Sequence, residues 1–310
     1  MDRLSALAKE GRPFLFVISY DKSEIFAEPL DELPPDILVS HRRPPSALHP
    51  APTLLKHPVP FGRYADAFER VIEQIEAGNT YLLNLTFSTP VEIGLTLREI
   101  YERANAPFKL LFKNRFVCFS PEPFVTIENG TISTFPMKGT IDEALPGAAE
   151  KIMADEKEMA EHVMVVDLLR NDLGMVAEKV RVKRFRYIDK IVTADKTLLQ
   201  VSSHIEAKLD EEWPSRLGEI MDALLPAGSI TGTPKKRTCE IIESVESHER
   251  GFFTGVFGVC DGKRLWSAVM IRFIERTPGG LVYKSGGGIT IDSDPQSEYR
   301  EMIDKVYFPL

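Results

Sequence analysis

The chain is poor in cysteine. Among its 310 residues only Cys118, Cys239 and Cys260 occur. The number is odd and no two form a CxxC pair, which argues against a disulfide framework or a structural zinc and fits a reducing compartment. Their contexts, VCF, TCE and VCD, lack the flanking glycines of a nucleophile turn, so all three read as packed thiols. No apolar run reaches the roughly 18 residues a membrane helix needs. The opening MDRLSALAKE has no apolar core followed by a small-residue cleavage site, so no secretory signal is expected and a cytoplasmic location is. Nor is there a basic excess. The formal net charge is −8 and the two signs are interspersed, which disfavours nucleic acid as the main partner. No internal repeat or low-complexity tract is present. What remains is an ordinary globular composition, 43% hydrophobic and 27% charged.

The patterning predicts many antiparallel strands with helices between them, an α+β fold. FLFVIS (14–19) reads as a buried strand with a hairpin partner at 24–27. Residues 34–60 hold eight of the 22 prolines and read as an irregular extended segment. A helix is expected over 63–77, where Tyr64, Phe68, Val71, Ile72 and Ile75 keep helical spacing and Gly78 stops it. Strands are expected at 81–88, three times between 109 and 135, and around 179–187, 198–208 and 281–291. The last two of the three are joined by Asn129-Gly130, a strong hairpin signal. Helices are expected at 97–104, 147–173 (one or two), 214–224 and 234–246. Residues 251–276 read as a hairpin turning at Asp261-Gly262, with 265–274 apolar on both faces and hence buried on both sides. Asp294-Pro295 opens a last helix with an N-cap and an N1 proline.

Two pairs of glutamates attract attention. Glu158 and Glu161 lie three apart on one helix face, and Glu298 and Glu301 repeat the spacing near the chain's end. The apolar stripe Met159, Val163, Val166 and Leu169 borders the first pair. Either pair alone suits a solvated surface. Four converging carboxylates would repel without a cation, and Mg²⁺ suits carboxylate and water ligands. His162 fits a structural role better, since hard ions prefer oxygen. Arg272 sits inside the apolar SAVMIRFIE, where a buried guanidinium needs an anion, from the fold or from a ligand. The glycine-rich SGGGIT (285–290) and GSITGTPK (228–235) match no nucleotide fingerprint, yet either could present N–H groups to a carboxylate.

In FPMKGT (135–140), Pro136 breaks the ladder and Lys138 stands beside Gly139. The Asn129-Gly130 turn puts Glu122, in FSPEPF, at the same end of the ribbon. Ideal pairing sets Glu122 and Lys138 on opposite faces, and a one-residue bulge would set them on one. A nucleophilic lysine must be neutral, and a shift of ~3 units from its ordinary pKa costs on the order of 4 kcal/mol. A carboxylate anion beside it pushes the wrong way. A protonated Glu122 does not, and could pass its proton to a departing hydroxyl while the amine attacks.

Residues 62–305 resemble the chorismate-utilising enzymes, and among them the component I branch of the aminodeoxychorismate synthases. The resemblance rests on motifs in the family's order: GNTYLLNL, SPEPF, PMKGT, AEHVMVVDLLRNDLG, GSITGTPKKRTCEIIESVE, RGFFTGVFG, VMIR and GGGITIDSDPQSEYRE. It implies two large packed antiparallel sheets with helices outside, forming a single catalytic domain over 1–310. Residues 1–61 would then be a short N-terminal strand and proline-rich segment packed on it. It implies chorismate held with Mg²⁺ by Glu161 and Glu301, with Glu158 and Glu298 supporting. It implies Arg272 on a substrate carboxylate, with Gly286, Gly287 and Gly288 at the same end and Thr231, Gln200 and Phe253 among the substrate contacts. Glu122 would be the general acid. Lys138, where anthranilate synthases carry alanine, would add covalently to C2 of chorismate while the C4 hydroxyl leaves, and ammonia would then enter at C4.

No glutaminase cysteine elbow is present, so the resemblance implies a separate glutamine amidotransferase partner supplying ammonia for para-aminobenzoate and folate synthesis. The chain departs from the pattern in four places. Phe253 replaces a tyrosine, Gln200 replaces a histidine, IDEALPG replaces RPRG, and the N-terminal extension with a tryptophan pocket is mostly absent, so no tryptophan feedback is expected. Two alternatives stay open: anthranilate synthase component I, and a chorismate-binding relative without turnover.

Overall fold

A computed structural model describes residues 1–41, 52–192 and 197–309. Helix α1 (Asp2–Glu10) buries Leu4, Leu7 and Ala8 and stops at Gly11, whose φ of 71° is left-handed. Strands β1 (Phe14–Ile18) and β2 (Ile25–Pro29) make the expected hairpin. Two further strands, β3 (Ile37–Ser40) and β4 (Leu54–Lys56), fall within the proline-rich stretch, whose residues 42–51 lie outside the described ones. Proline content misleads here because Pro34, Pro35, Pro52, Pro58 and Pro60 flank the strands, where no ladder N–H is needed. Thus residues 1–61 supply a helix and four strands, more regular structure than their composition suggests.

Helix α2 (Phe61–Glu76) buries Tyr64, Ala67, Phe68 and Val71. Strand β5 (Leu82–Ile93) follows, then α3 (Leu97–Arg103), opened by a capping box between Thr96 and Glu99. Next come β6 (Phe108–Phe112), β7 (Phe116–Ser120), β8 (Pro123–Glu128), β9 (Thr131–Thr134) and β10 (Met137–Asp142). There are four strands between 108 and 134 where three were expected, because Pro121 breaks what reads as one apolar run. Helices α4 (Ala148–Ala154) and α5 (Glu156–Val176) precede the long hairpin of β11 (Glu178–Val192) and β12 (Thr197–Lys208). Then follow α6 (Leu217–Leu224), the two-residue β13 (Gly232–Thr233) and α7 (Lys235–Val245). The chain continues through β14 (Val256–Cys260), β15 (Arg264–Val269), β16 (Phe273–Thr277), β17 (Gly280–Ile289) and α8 (Pro295–Asp304). Asp294 caps α8 by accepting from Ser297 N at 2.8 Å.

Two antiparallel sheets result. One runs β10-β12-β9-β8-β15-β14-β1-β2, with β11 also on β12; the other runs β13-β5-β17-β16-β7-β6-β3, with β4 also on β5. Between them lie Leu15, Val17, Leu110, Phe116, Phe257 and Phe273. Helices α1, α5 and α6 cover the outer face of the first sheet, and α2, α7 and α8 that of the second. The FLFVI run of β1 is therefore apolar throughout because Leu15 and Val17 face the other sheet while Phe14, Phe16 and Ile18 face helices.

The apolar stretch 265–274 is buried on both sides as expected, but it is not one strand. It leaves the first sheet after Val269 and enters the second at Phe273, with Arg272 in the left-handed region at φ 51°. Beside it, β7 passes from the second sheet into β8 of the first through Ser120-Pro121-Glu122. Val269 N donates to Glu122 O at 3.2 Å and Phe119 N to Arg272 O at 3.2 Å, so the two crossings are stitched together. Glu122 and Arg272 thus stand side by side where neither sheet is regular.

Candidate active site

Lys138 lies in a bulge. The β8–β9 hairpin ends at Thr126↔Ser133, and Pro136 then separates it from β10, which pairs with β12 instead. Met137 faces Ser202 and Thr140 faces Gln200, so Lys138 and Gly139 together oppose Val201 alone. The extra residue expected in the ribbon of the β8–β9 hairpin is not there; that hairpin is regular, and the bulge lies instead in the pairing of β10 with β12. Gly139 has φ 82°, and a Cβ on it would come 3.3 Å from Glu158 Oε2 and 3.6 Å from Ile152. The bulge turns Lys138 toward α5, where its Nζ lies 2.6 Å from Glu161 Oε2. Burial works against the ammonium, but Glu161, Glu158 and Glu301 outweigh it and raise the pKa of Lys138.

Helix α5 starts at Asp155, which accepts from Glu158 N at 2.9 Å. Its buried face carries Val165, Val166, Leu169 and Leu173, and Glu161 lies on that face at 6% exposure. The expected stripe is only half right: Met159 and Val163 are exposed, since the helix turns those positions outward. Glu158 has one carboxylate oxygen, Oε2, buried without a hydrogen-bond partner, and burial raises its pKa against the pull of Lys138. His162 is fully buried with its Nε2 2.7 Å from Ser203 Oγ; burial and the charges of Arg186 and Lys138 push its pKa down to about 4. It is neutral and part of the packing.

The second glutamate pair comes from α8. Glu298 accepts from Ser293 Oγ at 2.9 Å, and Glu301 pairs with Lys305 Nζ at 2.6 Å. Burial opposes the Glu301 charge, yet Lys305, Lys138 and Arg272 hold its pKa below the ordinary value. Lys305 also donates to Gly286 O at 2.9 Å. Burial pushes the Lys305 pKa down against Glu301, with Arg272 and Lys138 adding to the push. A Cβ on Gly287 would lie 3.3 Å from Glu298 Oε2, 3.7 Å from Lys305 Nζ and 3.8 Å from Glu301 Oε1. Glycine there lets β17 lie against the charged cluster. Gly286 could not carry a Cβ at all, which would fall 2.2 Å from Leu85 O, and one on Gly288 would meet Leu82 at 3.2 Å.

Glu122 completes the arrangement. Ser229 Oγ donates to its Oε1 at 2.5 Å, and Glu122 N donates to Ser120 Oγ at 3.1 Å. Burial raises its pKa, and Ser229, Arg272 and Lys305 only partly offset this. The cations acting on Glu122 are Arg272 and Lys305, whereas Lys138 acts on Glu161, Glu158 and Glu301. Arg272 has its Nε buried without a hydrogen-bond partner.

Of three further expected contacts, two are buried and one is half-buried. Phe253 is 3% exposed, its ring centroid 5.9 Å from that of Phe273. Thr231 is fully buried and donates to Ala227 O at 2.9 Å. Gln200 is half-buried on β12 opposite Thr140 and Asp189. Cys118 and Cys260 are buried free thiols, as expected, and Cys239 is a half-buried one. Lys305 and Ser229 were not anticipated. Lys305 stands four residues after Glu301 on one helix face, a spacing that could have revealed it. Ser229 carries no such signal, because its partner is 107 residues away.

The donor set of Glu158, Glu161, Glu298 and Glu301 is all oxygen, which suits a hard divalent cation, and the orphaned Glu158 oxygen is a ready ligand. Among the described residues, however, no three acidic, histidine or cysteine side chains close into a ligand cage. Lys138 and Lys305 each pair with one of these carboxylates, Glu161 and Glu301 respectively. No helix among the described residues is long and apolar enough to cross a membrane.

Comparisons with known proteins place the whole chain. The family model described as chorismate binding enzyme matches residues 7–310. The chain is 45% identical over 318 residues to the "Uncharacterized PabA-like protein" of Haemophilus influenzae, covering 100% of this chain and 96% of that one. It is 34% identical to "Aminodeoxychorismate synthase component 1" of Bacillus subtilis, covering 79% of this chain and 54% of that one. Among solved structures, anthranilate synthase component I from Streptococcus pneumoniae superposes with a TM-score of 0.68 at 26% identity, over 83% of this chain and 59% of that one.

Proposed function

Because the chain belongs to the chorismate-binding enzyme family, we propose that it is component I of an aminodeoxychorismate synthase, converting chorismate and ammonia to 4-amino-4-deoxychorismate. The observation that carries this reading is the bulge that delivers the Lys138 amine to Glu161, in a charged cluster that also holds Glu122, a carboxyl group whose pKa burial raises.

Lys138 is the nucleophile. Its amine bonds to C2 of chorismate, the two ring double bonds shift, and the C4–O bond breaks. The hydroxyl leaves as water with the proton of Glu122, which Ser229 and Ser120 hold in place. Ammonia then bonds to C4, the double bonds shift back, and Lys138 departs from C2. Atoms balance as chorismate plus ammonia giving product plus water. Arg272 and Lys305 offer positive charge to the substrate's carboxylates. Before attack the Lys138 ammonium passes a proton to Glu161, 2.6 Å away, and takes it back when it departs from C2; the negative charge of that carboxylate opposes the first transfer.

Mg²⁺ fits the oxygen donors, with Glu161 and Glu301 as its ligands and Glu158 and Glu298 in support. Bound there, it would supply positive charge to the substrate carboxylate. Ammonia comes from a glutamine amidotransferase partner, in keeping with the component 1 designation of the relatives.

The test is the purified chain with chorismate, Mg²⁺ and ammonium. Formation of 4-amino-4-deoxychorismate supports the reading, with loss of activity in chelator and recovery on adding Mg²⁺. Ortho-amination to anthranilate, or tight chorismate binding with no product, overturns it in favour of the anthranilate synthase or the binding protein respectively.

A further inference from the structure

Arg272 is guarded by a residue outside every motif that marks the site. Its guanidinium carbon lies 5.3 Å from the ring centroid of Tyr307. Tyr307 belongs to the short segment after α8, and that segment is held on both sides of it. Tyr283 Oη donates to Tyr307 O at 3.2 Å, and Asn105 N donates to Pro309 O at 3.1 Å. Val306 is fully buried beside α3, and the ring of Phe308 lies 6.3 Å from that of Phe119. The Tyr307 ring is therefore fixed against the guanidinium, yet 41% of the residue remains exposed.

Two neighbouring aromatic residues do not offer what Tyr307 offers. Phe253 has no polar atom and is packed in the core. Tyr283 is fully buried, and its hydroxyl is spent on the Tyr307 carbonyl. Tyr307 alone among these three combines a hydroxyl, exposure and contact with Arg272. The buried Nε of Arg272 meanwhile lacks an acceptor.

We propose that Tyr307 completes the carboxylate site of Arg272, its phenol hydroxyl and the guanidinium together binding one carboxylate of the substrate. The ring packs on the guanidinium and excludes water from it, which strengthens the charge-assisted hydrogen bonds the arginine makes. Tyr307 is thus a substrate-binding residue supplied from outside the two sheets. This rests on the chorismate reading above.

The experiment measures chorismate binding by calorimetry and steady-state amination for the wild type, Tyr307→Phe and Tyr307→Leu, with thermal melts of each. Tyr307→Phe keeps the ring and loses only the hydroxyl. The expected result is a KM and a Kd raised about tenfold, kcat lowered no more than about threefold, and an unchanged melting temperature. Tyr307→Leu should weaken binding at least as much. A Tyr307→Phe variant that binds as tightly as the wild type overturns the assignment while the chorismate reading stands. So does one whose melting temperature falls with KM unchanged, since that marks a structural cover. A wild-type protein that does not bind chorismate overturns both.

Discussion

Lys138 Nζ lies 2.6 Å from Glu161 Oε2, a contact between a strand bulge and the buried face of a helix. Replacing Lys138 with alanine removes the nucleophile and leaves Glu161 without its counter-charge. Amination should fall about 10⁴-fold or more, while chorismate binding changes less than about fivefold. Single-turnover product formation and calorimetry check this, and retention of a tenth of the wild-type rate would exclude Lys138 as nucleophile. The melting temperature of the variant should drop in chelator, because a buried carboxylate is then unpaired.

Glu122 works as an acid only when protonated. Its pKa is raised by burial, so its acid form persists to higher pH than an ordinary glutamate's. The limb of the pH–rate profile set by this group should therefore descend as pH rises through that raised pKa. Glu122→Gln keeps the bond from Ser229 but has no proton to give. Its kcat should fall roughly 10²–10⁴-fold. In a pH–rate profile, the descending limb assigned to this group should disappear, and a limb identical to the wild type's would assign the acid elsewhere.

Gly139→Ala places a methyl group at a residue with φ 82°, 3.3 Å from the Glu158 carboxylate. The left-handed backbone alone costs an alanine about 1 kcal/mol. We expect a stability loss of about 1–2 kcal/mol by urea unfolding, and an amination loss larger than this accounts for, because the bulge that aims Lys138 is disturbed. Wild-type activity in this variant would show that the bulge does not need glycine.

Glu206 lies on β12 facing Arg181 and Lys183 on β11, and their hydrogen bonds hold its pKa down at about 2. A carboxylate with a depressed folded pKa contributes stability above its unfolded value of 4.5, and that contribution is lost as pH falls from there toward 2. Both cations are more than half exposed, so solvent screens the pair and the contribution stays below about 1 kcal/mol. Unfolding measured between pH 6 and pH 3 should show a steeper decline for the wild type than for Glu206→Gln. Parallel curves would mean that the pair does not contribute.

Much of this protein can be read along the chain. Turns and caps are local, so Asn129-Gly130, Asp261-Gly262 and the Asp294-Pro295 cap mark their elements unaided. Amphipathic spacing announces α2, and the glutamate pairs announce their helix faces, because neighbours on a helix are three or four residues apart. The motifs that hold Lys138, Glu122, Arg272 and the four glutamates are visible in order, and with them the family.

Only the tertiary structure decided how those pieces meet. An apolar run that is buried on both sides looks the same whether it stays in one sheet or crosses to another, so the breaks at Glu122 and Arg272 could not be seen in it. The bulge at Lys138 depends on β12, more than 60 residues further on, being the partner of β10 in place of β8. Ser229 reaches Glu122, and Tyr307 reaches Arg272, across separations at which sequence spacing carries no geometric information. A hydrogen bond needs proximity in space, and outside helices and hairpins only packing sets that.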